Sequence, residues 1–154
     1  MDDKPSIAFK NKRNSSLIKM IDDIKDQQVD AAVSSGNTGA LLASSLFILG
    51  KIEGIKKPAL SPFIPIDKSG FILCDAGANS NVKPEHLVQF GLMATAYLEH
   101  LGNLTNPRVA LLNIGSEELK GNEVIKNTYK NLNAKTNHVY EFKGYIEGNQ
   151  MMDG

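Results

Sequence analysis

The sequence predicts an α/β protein built on a mostly parallel sheet, and three observations predict it. Runs that are almost wholly apolar, 71–74 and 109–114 above all, alternate with stretches of helical periodicity, the pattern of strands covered on both faces by helices. The clearer runs end in polar, glycine-bearing loops that lead into helices. At 154 residues the chain is long enough for one folded unit with a real core and too short for two comfortable ones, so 1–154 reads as a single domain.

The elements follow in order. Leu17, Met20, Ile21 and Ile24 recur at i, i+3, i+4 and i+7, and Ser15 or Ser16 can cap the helix they define. Val29 to Ser34 is apolar and of strand length, and Ser35-Gly36-Asn37-Thr38-Gly39 breaks it before a buried helix begins at Ala40. Pro58 to Ile64 can be a strand, which its prolines confine to an edge or an irregular piece. Phe71 to Asp75 is a clearer strand. After the loop 76–81, Pro84 and Glu85 suit the first turn of a helix whose buried face is Leu87, Phe90, Ala94, Tyr97, Leu98 and Leu101. Gly102 is placed to end it in the left-handed conformation. Val109 to Ile114, a loop 115–122, and a helix marked by Ile125, Tyr129 and Leu132 repeat the unit. Val139 to Tyr145 is the last strand expected, with no closing helix after it.

Composition removes several function classes. Lysine plus arginine and aspartate plus glutamate both number 17, so no global field draws the protein to nucleic acid. Cys74 is the sole cysteine, which excludes an internal disulfide and suits a reducing cytoplasm. His86, His100 and His138 lie far apart without partners at metal-ligand spacing, so no metal site is expected. The polar N-terminus lacks the apolar core of a secretion signal. The most apolar stretch, Ala40 to Leu49, is half of the roughly 20 residues a membrane span needs. No G-x-G-x-x-G, P-loop or G-x-S-x-G motif is present.

The loops carry the candidate chemistry. In parallel sheets ligands collect at the carboxyl ends of strands, where these three loops are expected to gather. Ser35, Asn37, Thr38 and Gly39 put hydroxyls, a small amide and glycine at a helix start, where free N–H groups and the helix dipole favour an anion such as phosphate. Equally, the glycines can serve tight turning while Asn37 or Thr38 caps the helix. In the second loop Asp75 can hold a hydroxyl or cation, Asn79 lies beside it, Lys83 can meet a phosphate, and His86 can exchange a proton. Asp75 and Asn79 are also common turn formers that bond their own backbone. The third loop offers Asn113, Glu117, Glu118, Lys120 and Asn122, of which Lys120 beside Gly121 is the better anion ligand. The basic run Lys10-Asn11-Lys12-Arg13 can add charge toward a phosphate or simply be solvated.

Four ordered blocks, KRNSS (12–16), SSGNTGALLASSLFILGKIEGIKKPAL (34–60), CDAGANSNVKPEHLVQFGLM (74–93) and NPRVALLNIGSEELKGNE (106–123), resemble the bacterial phosphate acyltransferase family, PlsX. The resemblance runs from Arg13 to Gly154. It implies transfer of a fatty acyl group from acyl carrier protein to inorganic phosphate, the acyl phosphate feeding phospholipid synthesis. It also implies a three-layer α/β/α fold like the isocitrate and isopropylmalate dehydrogenases and the phosphotransacetylases, a homodimer, no cofactor, and a cytoplasmic enzyme peripherally attached to the inner face of the membrane. In this reading Ser35, Asn37, Thr38, Gly39, Asn79, Lys83 and Lys120 hold phosphate, and His86 or Asp75 manages protons. Family members are longer, with a D-A-M-G-G-D-type loop before and a D-G-F-x-G-N-type loop after the matching region, so the chain is expected to be truncated at both ends. Their aliphatic residue at the position of Cys74, and their acidic one near Ser80-Asn81, are not retained here. The alternatives are a phosphotransacetylase-like enzyme using acyl coenzyme A and a non-catalytic fragment of the family.

Overall fold

A computed structural model describes residues 9, 11–66, 69–102, 106–117, 120–134 and 139–152. Lys10, Glu118, His138 and the C-terminal Asp153-Gly154 lie outside them. The described residues fall into two compact units, 1–58 and 59–154, each with its own packing.

The first unit pairs two helices. α1 spans Ser16–Lys25 and buries Ile18 and Ile21; of the expected stripe Ile21 alone is buried, Leu17, Met20 and Ile24 are part-buried, and Ile18 lies outside it. Ser15 occupies the N-cap in an extended conformation, but its side chain makes no capping bond. α2 spans Thr38–Ile48, two residues earlier than expected, because Asn37 takes the N-cap and its side chain accepts from the N–H of Ala40. α2 packs against α1. Of its residues Ser44 alone is buried, and Phe47 stacks on Phe9 at 4.8 Å while remaining half-exposed. The fully buried helix expected here is therefore only part-buried.

Val29 to Ser34 is not a strand. These residues are exposed, Val33 at 97%, and carry no regular structure. An apolar run becomes a strand only where a neighbour completes its hydrogen bonds, and the described strands pair only with one another.

The second unit begins with a hairpin. β1, Phe63–Ile66, pairs antiparallel with β2, Ser69–Ile72, in the register Phe63 to Ile72 and Ile66 to Ser69. This departs from the mostly parallel sheet expected, for a simple reason. Only two residues separate Ile66 from Ser69, far too few for the crossover that a parallel pair requires. Of the strand expected over Pro58–Ile64 only Phe63 and Ile64 belong to β1, and with two strands in the hairpin both are edges, where Pro65 is tolerated.

α3 then runs Pro84–Gly102, its proline at the first helical position and Glu85 in the first turn. Gly102 is the last helical residue, and residues 103–105 lie outside the description. β3, Arg108–Leu112, is followed by α4, Glu123–Asn133, and by β4, Glu141–Ile146, which lies parallel to β3. This is the strand–helix–strand unit the repeat predicts. The core gathers Val88 of α3, Leu111 of β3, Leu132 of α4 and Tyr140, with Val109, Tyr129, Phe142 and Tyr145 against them. Tyr129 centres that packing, 4.7 Å from the Tyr145 ring and 5.6 Å from Phe142. A short 3-10 turn, Gly148–Met152, follows β4 in place of a plain end.

Candidate functional site

The first candidate loop belongs to the first unit. Ser34 Oγ accepts from the N–H of Gly36 at 3.1 Å, and Asn37 Oδ1 accepts from the N–H of Ala40 at 3.0 Å. Asn37 is thus a helix cap. Its bond satisfies the third N–H of α2, while the first two, on Thr38 and Gly39, have no partner among the described residues. Ser35 and Thr38 are exposed beside them.

The second loop is built around Asp75. Its Oδ1 accepts from the N–H of Leu60 at 2.8 Å, and its Oδ2 accepts from the N–H of Asn79 at 2.8 Å and from Asn79 Nδ2 at 3.0 Å. Both carboxylate oxygens are engaged. The N–H of Ala76 returns to the carbonyl of Leu60 at 2.8 Å, and that of Leu73 to Pro62 at 3.2 Å, so the hairpin continues past β2 as far as the loop. The peptide between Cys74 and Asp75 is cis. Beside it, Ser61 Oγ donates to Cys74 Sγ at 3.0 Å. Burial pushes the Cys74 thiol above its ordinary pKa; the Ser61 hydroxyl works against that, and the Asp75 carboxylate adds to it.

His86 lies one turn further on, at the third position of α3, and is buried. Its Nδ1 accepts from the N–H of Lys83 at 3.0 Å, while the N–H of His86 returns to the Lys83 carbonyl at 2.9 Å. The side-chain bond is one half of a capping box, with imidazole in the role usually taken by glutamate or glutamine, while the returning bond ends on the Lys83 backbone carbonyl. A backbone N–H can only donate, so the neutral ring carries its proton on Nε2. Glu85 Oε1 is 3.8 Å from that nitrogen. The Lys83 side chain is exposed.

The third loop follows β3. Asn113 is buried and its Nδ2 donates to the carbonyls of Gly115 and Lys120, at 3.0 and 3.2 Å. Asn122 caps α4 by accepting from the N–H of Ile125 at 3.0 Å. A cavity of about 820 Å³ opens at the carboxyl ends of β3 and β4, where a parallel pair is expected to receive ligands, lined by Asn113, Gly121, Asn122, Ile125, Glu147 and Asn149 among others. Lys120 is exposed.

The predicted residues therefore sort into local groups: Asn37 with Thr38 and Gly39, Asp75 with Asn79, Lys83 with His86, and Lys120 with Asn113. Two relationships were not legible in sequence. Leu60, fifteen positions from Asp75, gives no local sign of being its partner. Asn113 was visible only as a polar residue at a strand end. Among the described residues, no group of three or more histidine, cysteine, aspartate or glutamate side chains could hold a metal ion, and no helix is long and apolar enough to cross a membrane.

Comparison with known proteins places these loops in a family. The chain is 46% identical over 152 residues to a protein of Listeria innocua named phosphate acyltransferase, covering 98% of this chain and 44% of that one. Proteins of the same name from Bacillus pumilus and Staphylococcus aureus are each 44% identical, with 45% and 47% of their lengths covered. The chain thus spans somewhat less than half the length of these relatives. A family model described as fatty acid synthesis protein matches residues 1–154, and the chain belongs to that family.

Proposed function

We propose that the protein transfers a fatty acyl group from acyl carrier protein to inorganic phosphate, yielding acyl phosphate for phospholipid synthesis. The relatives' shared name supports the acyl transfer to phosphate. The observation that carries the phosphate assignment is the start of α2: Asn37 caps one N–H and leaves those of Thr38 and Gly39 free to meet an anion. Ser35, beside these amides in the first unit, is proposed as a further phosphate ligand, and Asn79, Lys83 and Lys120 of the second unit are proposed as phosphate ligands in their own loops.

In this reading phosphate is itself the nucleophile. A phosphate oxygen attacks the thioester carbon, the carbon–sulfur bond breaks, and the proton carried by hydrogen phosphate passes to the departing thiolate, giving acyl phosphate and free carrier thiol. No acyl-enzyme is required; the protein must position a dianion and steady the tetrahedral oxyanion. Of the two residues considered for proton handling we favour His86, and in this proposal its Nε2, which carries the proton when Nδ1 accepts from Lys83, donates a hydrogen bond to the developing oxyanion. Asp75, with both oxygens engaged, serves in this proposal to hold the loop. We extend the reading to the family resemblance's finer points: a dehydrogenase-like three-layer α/β/α fold, to which the parallel β3–α4–β4 unit contributes, a homodimer, and a cytoplasmic enzyme in peripheral contact with the membrane. Amide NMR of the chain during titration with inorganic phosphate tests the assignment. Thr38 and Gly39 should shift saturably, and unmoved amides at both positions would remove it.

A further inference from the structure

One side chain closes the loop after β3. Asn113 is 9% exposed, and its main-chain N–H donates to the Ile146 carbonyl at 2.9 Å, fixing it to β4. From there its Nδ2 spans the loop, giving one hydrogen to Gly115 O and the other to Lys120 O. Two glycines make room for this arrangement. Gly121 has φ +87°, and a Cβ there would collide with Asn113 Oδ1 and approach Asn113 Cγ to 3.2 Å. A Cβ on Gly115 would stand 2.7 Å from Glu117 Oε2 and 2.9 Å from Lys120 Cγ, so the stem of Lys120 lies across that glycine. An amide whose two hydrogens are both committed to the loop has none left to donate to a substrate. What it does fix is the backbone from which Lys120 departs.

We propose that Asn113 is a positioning residue: by bridging the carbonyls of Gly115 and Lys120 it sets where Lys120 presents its ammonium group, and so sets phosphate affinity without touching phosphate. The inference rests on the reading of Lys120 as a phosphate ligand. Asn113→Asp keeps the shape but replaces both donors with an acceptor facing two carbonyls. Gly121→Ala disturbs the same amide from the other side and leaves its donors intact.

Inorganic phosphate is titrated into the wild-type chain, Asn113→Asp, Gly121→Ala, Lys120→Ala, and the double variants with Lys120→Ala, with urea midpoints recorded to confirm folding. Each single substitution should weaken phosphate binding by about tenfold, and each double variant should bind within about twofold of Lys120→Ala alone, because residues that act through one another are not additive. Wild-type affinity in Asn113→Asp and Gly121→Ala would overturn the inference, as would losses that multiply in the double variants. Unchanged binding in Lys120→Ala would overturn it too, while leaving the phosphate reading intact. If the wild-type chain takes up no phosphate, the functional reading itself fails. Should Asn113→Asp not fold, Gly121→Ala decides alone by the same criteria.

Discussion

His86 Nδ1 accepts the backbone N–H of Lys83, the residue that precedes α3, at 3.0 Å. The bond does two things at once: it caps the helix and leaves the ring's proton on Nε2. Glutamine and glutamate can both accept the same N–H at this helical position, but only glutamine also keeps a donor. His86→Gln is therefore expected to retain most of the acyl transfer rate, and His86→Glu to lose about 10²–10³-fold, the usual cost of one oxyanion donor. If His86 instead carries a proton, His86→Gln, which has no titratable group, will be impaired at least as much as His86→Glu in the same assay.

Asp75 ties the segment at Leu60 to the loop at Asn79 through three hydrogen bonds. Asp75→Ala leaves two backbone donors without an acceptor and is expected to cost about 2–3 kcal/mol in urea unfolding. Asp75→Asn preserves the shape and part of the bonding and should fall between the two. An alanine variant as stable as wild type would show that the clasp contributes nothing.

At Asn37 the capping role and the phosphate role separate by charge. Asn37→Ala should lower stability by about 1 kcal/mol, the ordinary loss of a cap. Asn37→Asp keeps the cap and adds a negative charge favourable to the helix start, yet repels a phosphate bound at Thr38 and Gly39. Stability at or above wild type with phosphate affinity reduced about tenfold or more is expected, since a like charge close by costs over 1 kcal/mol at intermediate dielectric. Equal phosphate affinity would place the ion elsewhere.

Cys74 supplies a pH dependence. Its folded pKa is raised, by burial first, so the fold favours the thiol over the thiolate. The corresponding stability is present in full below the unfolded thiol's pKa of about 8.5 and is lost as pH rises from there through the folded value. The urea midpoint should fall as pH rises above about 8.5, and Cys74→Ala should flatten that part of the decline. Tyr140, also raised by burial, adds a further loss only above the ordinary tyrosine range. An alkaline decline identical in wild type and Cys74→Ala would contradict the assignment.

What sequence could and could not convey follows from the range of the forces involved. Helices were legible because their stripes and caps are local: Ile21 on α1, Asn37 before α2, Pro84 opening α3. β3 was legible as an apolar run before a helix and β4 as the last strand expected after it, and so was their parallel pairing. Val29–Ser34 misled because apolar character marks a strand's capacity to pair, and pairing needs a neighbour. β2 was placed a little late, at 71–75, because the hairpin is fixed by a connection of only two residues, whereas Leu73–Asp75 continue it through isolated bonds. The loops were found by glycine and polarity; their internal order was not, since Asp75 to Leu60 and Asn113 to Lys120 are contacts made by the fold.

The most direct measurement of the central claim mixes the protein with long-chain acyl carrier protein and isotopically labelled phosphate, then separates the products. Labelled acyl phosphate, formed together with free carrier thiol, is the result expected. Label appearing with acyl coenzyme A and never with acyl carrier protein, or with neither donor, would contradict the account.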